Sequence, residues 1–177
     1  MASYYYLVTT LPLLRYDGQC PFDTATFLAK CKSQVSERDY RTIESAISGR
    51  SSSHPFLKKW QHFSSMVKKE LNDQRSKKLG LSVQTYRNEG DKEFRIGETV
   101  RQALSNENAL EAELALLSLK WNYLDEISAL HYFDVEALLS YAVKLQLLER
   151  KSLFTKEEGY AEFKRLFSNL QTEIANT

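Results

Sequence analysis

The clearest pattern in the chain is the recurrence of large apolar residues at intervals of three and four. In the stretch HYFDVEALLSYAVKLQLLERKSLF, Val135, Leu138, Ala142 and Leu145 form one ridge and Leu139, Val143 and Leu147 widen it. Glu136, Ser140 and Lys144 fall between and are expected to mark the wet side of a helix capped by Asp134. Upstream, NENALEAELALLSLKWNYLDEISAL has neither glycine nor proline. Leu110, Leu114, Leu117, Trp121, Leu124 and Ile127 give it a broad apolar band, opposite Glu111, Ser118, Asn122 and Asp125. Earlier still, Phe56, Trp60, Phe63, Val67 and Leu71 recur along a long lysine-rich helix, 55–79, with Ser53 as expected cap, Pro55 in the first turn and Gly80 as terminator. Asp23 suits the start of a short helix carrying Phe27, Leu28 and Cys31. SERD supplies a capping-box signature, Ser36 with Asp39, for a helix carrying Tyr40, Ile43 and Ile47 and stopped by Gly49. A last helix is expected after Thr155, with Tyr160, Phe163, Leu166, Phe167 and Leu170 on its apolar side.

Two stretches are less regular. Residues 3–14 favour a strand by propensity, but a strand needs partners that the rest of the chain scarcely offers, so a short buried helix competes with it. Pro12 ends either element. In 81–98, NEGD could join LSVQTYR and KEFRI as a small hairpin near 81–96, or sit in an irregular loop. The pattern as a whole predicts an all-α chain of mostly antiparallel helices, arranged as one bundle or as two lobes. A single helical domain, 1–177, is expected, with sub-lobes 1–50 and 105–177 forming a core, the long helix 55–79 beside it and 80–104 as connector.

Composition leaves this picture unchanged. Hydrophobic residues make up 42% of the 177, charged residues 27%, and the formal net charge is +1. That balance suits a packed soluble domain, and it gives the chain as a whole no electrostatic attraction to nucleic acid. The two cysteines, Cys20 and Cys31, form no CxxC pair, which fits free thiols in a reducing cytoplasm. No stretch reaches the length of apolar residues that crosses a bilayer, and the amino terminus lacks a signal-peptide pattern, so membrane contact is expected to be indirect.

Candidate chemistry is sparse. Walker, dinucleotide-binding and nucleophile-elbow motifs are absent from the sequence. Of three histidines, His54 and His62 are eight apart but lack further ligands, and His131 beside Asp134 reads as a junction histidine bonded locally. Glu107 and Glu111 share a helix face, but the E-x-x-H elements of a carboxylate dimetal bundle are missing. No catalytic residue, metal or cofactor is therefore expected. The one feature that suggests binding is the run of lysines on helix 56–79: Lys58, Lys59, Lys68, Lys69, Lys77 and Lys78. A stripe of that kind suits phosphates or an acidic protein surface, although Glu70 and Asp73 dilute it.

The strings SYYYLVTTLPLL and KWNYLDEISALHYFDVEALLSYAVKLQLLERK resemble a bacterial family of uncharacterised proteins, DUF2764. Trp121, Leu124, Asp125, His131, Phe133, Asp134, Leu138, Tyr141, Lys144, Leu145 and Glu149 carry the likeness. The resemblance implies a companion of the V-type (archaeal/vacuolar-like) ATPase, with a stalk or assembly role. It also implies a distant similarity to the helical, funnel-shaped component that joins the central stalk to the membrane ring, for which this chain is short. The expectation is thus a non-catalytic accessory or stalk-type subunit acting by protein contacts, held at the inner face of the membrane through the ATPase. The alternative is an independent helical adaptor that binds nucleic acid or an acidic protein through helix 56–79.

Overall fold

A computed structural model of the chain describes residues 4–80 and 93–154. Among these residues the chain forms seven α-helices and no strand: α1 (Tyr5–Thr10), α2 (Thr24–Lys32), α3 (Glu37–Ser48), α4 (Pro55–Lys78), α5 (Phe94–Ser105), α6 (Ala109–Ser128) and α7 (Val135–Ser152). The all-α expectation holds. The helix expected after Thr155, and the 81–92 part of the proposed hairpin, lie outside the described residues.

Local chemistry explains the boundaries. Asp23 accepts from the Thr26 N–H, Asp134 from Ala137 and Asn108 from Leu110, so each carboxylate or amide oxygen satisfies a helix-start donor. Gly49 ends α3 at φ +65°, a left-handed conformation that glycine adopts without strain. Of the two alternatives for residues 3–14 the helix is the one formed, over residues 5–10, and Leu11 turns extended before Pro12 as the proline ring requires. The α4 cap is His54, whose Nδ1 accepts from the Phe56 N–H at 3.3 Å, and not Ser53. The described part of the KEFRI arm is no strand: Glu93 stands at the N-cap position of α5, without a side-chain cap hydrogen bond, and Phe94 opens the helix, because Ile96, Val100 and Ala103 recur at helical spacing and are buried. The SERD capping box is only half closed. Ser36 accepts from the Asp39 N–H, but the Tyr4 hydroxyl donates to Asp39 and accepts from the Ser36 N–H, taking the return arm of the box.

Two apolar clusters fill the interior. The first gathers Leu7, Phe27, Cys31, Ile43, Phe56 and Leu57 around Leu117, Trp121 and Leu124 of α6 and most of α7. The second joins Phe63 and Val67 of α4 to Ile96, Val100 and Ala103 of α5 and to Leu116 and Leu119 of α6. Helix α6 serves both with two adjoining faces, and Trp60 packs against both clusters. Glu113 pairs with Arg150 and Asp125 with Lys144, so α6 and α7 are antiparallel; Arg95 with Glu126 and Asn106 with Glu111 show the same for α5 and α6. By contrast, Gln74 reaches the Gly97 carbonyl and Lys78 the Leu104 carbonyl, so α4 and α5 run in the same direction.

Helix α7 is covered by α2, α3 and α6 and by the N-terminal segment. This overturns the wet side expected for it. Ser140 is 3% exposed and the Lys144 side chain 16%, because the helix is central and has no broad solvent face. Leu110, expected in the apolar band of α6, is 39% exposed at that helix's first turn, ahead of the packed region.

Candidate functional site

The N-terminal segment crosses the corner between α6 and α7. Three contacts hold it there. The Tyr4 N–H donates to the Phe133 carbonyl at 2.6 Å, the Tyr5 ring lies 4.9 Å from that of Phe133, and the Tyr141 hydroxyl donates to the Pro12 carbonyl at 3.0 Å. Tyr141 is itself fixed by stacking on Phe27, 5.2 Å between centroids, and burial pushes its phenol pKa up. The strap and the two helices line an open cavity of about 220 Å³. Val8, Leu11 and Leu14 form its apolar wall; Ser128, His131, Ser140 and Lys144 supply the polar one.

Each polar group has its own partners except one. His131 Nδ1 lies 2.6 Å from Asp134 Oδ2, and Asp134 Oδ1 caps α7, so one carboxylate both starts the helix and orients the imidazole. The local bonding expected for His131 is what the structure shows. Lys144 Nζ sits 2.5 Å from Asp125 and 5.3 Å from the centre of the Trp121 ring, a cation held between a carboxylate and a π face. Ser140 Oγ is buried and has no hydrogen-bond partner among the described residues. An orphaned hydroxyl at a cavity wall is a place for an ordered water or a ligand's polar group. It does not reach His131, so the nucleophile–base contact that acyl transfer needs is not formed.

Behind the corner, ligand atoms of His131, Asp134 and Glu136 lie within 4.8 Å of one another, and His54 Nε2 is 3.7 Å from Glu136. The set has the donors a divalent cation uses. However, both Asp134 oxygens are already engaged, and the N-terminal end of α7 opposes positive charge there. Cys20 and Cys31 take no part: Cys20 Sγ donates to the Phe22 carbonyl, and Cys31 is in the core with its thiol pKa pushed up to about 12 by burial.

The outer surface of this corner is apolar. Tyr6 is 83% exposed, Leu130 86%, Leu13 82% and Tyr132 66%, with Tyr5 and Phe133 half-exposed beside them. Singly these would be ordinary; together they make an exposed apolar patch at one end.

Of the residues read from sequence, Trp121, Asp125, His131, Phe133, Asp134, Tyr141 and Lys144 converge here. Glu149 stands apart and accepts from the Thr24 N–H at 2.7 Å, tying α7 to the start of α2. Lys58, Lys59, Lys68, Lys69, Lys77 and Lys78 are all exposed on α4. At 100° per residue they spread around the helix and make no single stripe. Lys77 is paired with Asp73 at 2.8 Å, and Lys78 with the Leu104 carbonyl at 3.1 Å. Sequence reasoning missed Ser140, placed on the wet side, and Tyr6, Leu130 and Tyr132, whose exposure depends on the strap folding over the corner. The only sequence signal was the aromatic run YYY beside a helix too short to bury it.

Comparison with known proteins adds one finding. No curated protein and no solved structure matches the chain. The model of a family of proteins of unknown function, DUF2764, matches residues 47–174, which takes in α4 to α7 and leaves out the N-terminal strap. That match covers well over half of the sequence, so the chain belongs to the DUF2764 family.

Proposed function

We propose that this chain is a non-catalytic accessory or stalk-type subunit of a V-type ATPase, docking through the aromatic corner of α1 and the α6–α7 connection. The observation that supports docking is the cluster of exposed Tyr5, Tyr6, Leu130, Tyr132 and Phe133 on a well-packed support. Tyrosine-rich apolar surfaces lose little side-chain entropy when covered and dominate binding energy at protein interfaces. Asp125 and the Asp134–His131 pair lie close by and supply a polar rim that sets orientation. The ATPase as partner rests on the sequence resemblance alone. Among the described residues no helix is long and apolar enough to cross a membrane, so attachment through a protein partner is the consistent form of membrane contact. Crosslinking mass spectrometry on native membranes tests the reading. Links from the Tyr6–Tyr132 end to a stalk component are expected; links to no part of the ATPase would contradict it.

A second reading keeps the exposed Lys58, Lys59 and Lys69 as a docking face for an acidic protein or nucleic acid. Salt-sensitive binding lost on changing Lys58, Lys59 and Lys69 to glutamine would favour it over the first.

A further inference from the structure

A second concavity, of about 440 Å³, lies between α4, α6 and the α3–α4 connection. It is remote from the aromatic corner and owes nothing to the docking proposal. Its charged lining is entirely basic: Lys68 and Lys120 face it, and no Asp or Glu does. Lys120 is half-buried, and burial pulls its ammonium pKa below the usual lysine range. The nearest carboxylate in its field, Glu113, is already held by Arg150 at 2.7 Å, and Arg150 and Lys68 add further positive charge. Neither Lys120 nor Lys68 makes a hydrogen bond or ion pair with the described residues.

Around these cations stand Ser51, Ser64 and Ser65. Serines within a helix ordinarily return their hydroxyl to the carbonyl four residues back, as Ser45, Ser48 and Ser128 do in this chain. Ser64 and Ser65 do not, and with Ser51 they leave three hydroxyls free beside the lysines among the described residues. Trp60, stacked on Phe63, gives one wall an apolar plane, and Leu57 extends it. A cation withdrawn from water without a partner is a cost to the fold, and a bound anion offsets that cost. Two ammonium groups and several hydroxyl donors suit the three oxygens of a phosphate better than the two of a carboxylate. The volume far exceeds a phosphate ion and falls in the range of small-molecule sites.

We propose that the pocket bounded by Trp60, Ser64, Lys68 and Lys120 binds a phosphomonoester, its phosphate on the two lysines and serines and its apolar body against Trp60.

The test uses the full chain with inorganic phosphate and phenyl phosphate as probes, read by thermal unfolding and by amide chemical shifts at 64–68 and 120. Phenyl phosphate at ten times its dissociation constant is expected to raise the midpoint by about 3 °C and to bind more tightly than inorganic phosphate. Lys120→Met is expected to weaken binding about tenfold or more while raising the midpoint of the free protein, since it removes a half-buried charge that desolvation disfavours. Lys68→Gln, at an exposed position, is expected to weaken binding without disturbing the fold. Lys58→Gln, on the same helix but outside the pocket, is expected to change nothing. No response at millimolar probe, or an undiminished response in both Lys120→Met and Lys68→Gln, would overturn the site. Equal affinity for the two probes would overturn the ester and leave free phosphate as the ligand.

Discussion

Single side chains carry distinct burdens in this molecule. Tyr4 closes the open arm of the α3 cap with its hydroxyl, so Tyr4→Phe removes two hydrogen bonds at once and leaves Ser36 N–H unmatched. A loss of about 1–2 kcal/mol in urea unfolding is expected. Ser140 is the opposite case: its hydroxyl is buried and unpartnered, so Ser140→Ala is expected to be neutral or stabilising by up to about 1 kcal/mol. A clear destabilisation would mean that the cavity holds water bonded to that hydroxyl. Glu126 is held below the usual carboxylate range by its hydrogen bond from Arg95. A depressed carboxylate contributes stability that is present in full above its unfolded pKa and is lost as pH falls through the folded value. Glu126→Gln should therefore flatten the acid limb of a stability–pH profile and leave the neutral region parallel to the parent. The thiols differ as well: an alkylating reagent is expected to modify Cys20 in the native protein and Cys31 only after unfolding, since Cys31 is fully buried and its thiol pKa is pushed up to about 12.

Among the elements, the helices with strong caps and clean periodicity were legible from the sequence. Asp23, Ser36, Gly49 and Asp134 sit where cap chemistry requires, and the Phe56–Leu71 face of α4 is the packed one. What was not legible depended on tertiary neighbours. Periodicity tells which residues of α7 are apolar, but not that the N-terminal strap and α6 would close over Ser140 and Lys144. The KEFRI stretch reads as extended by propensity, yet Ile96 and Val100 are drawn into the cluster with Phe63 and Val67, and packing overrides propensity. The N-terminal run has strand propensity but no partner strand, so its backbone groups are satisfied within a helix. The candidate site was legible as a set of residues and not as a place: seven of eight junction residues converge, and only the fold of the strap shows what they support. Glu149 is the exception, because its role is fixed by the start of α2, far off in sequence.

For the molecule as a whole, two clusters share α4 and α6, and Trp60 belongs to both. That sharing predicts one cooperative unit. Phe63 is fully buried and stacks face to face on Tyr123 at 3.8 Å, so Phe63→Ala should cost about 3–5 kcal/mol. The loss should appear equally in the first cluster, read by Trp121 fluorescence in a Trp60→Phe background, and in far-UV dichroism. Separate transitions would divide the chain into independent lobes. A unit of this kind is a rigid platform, and rigidity would lower the entropic cost of the docking proposed for the exposed aromatic corner. The decisive measurement is therefore site-specific photo-crosslinking in native cells, with the photoreactive residue at position 6 and, for comparison, at position 69. Position 6 is expected to capture a component of the V-type ATPase, and position 69 is not. Capture of no ATPase component from position 6, or capture only from position 69, would contradict docking through the aromatic corner.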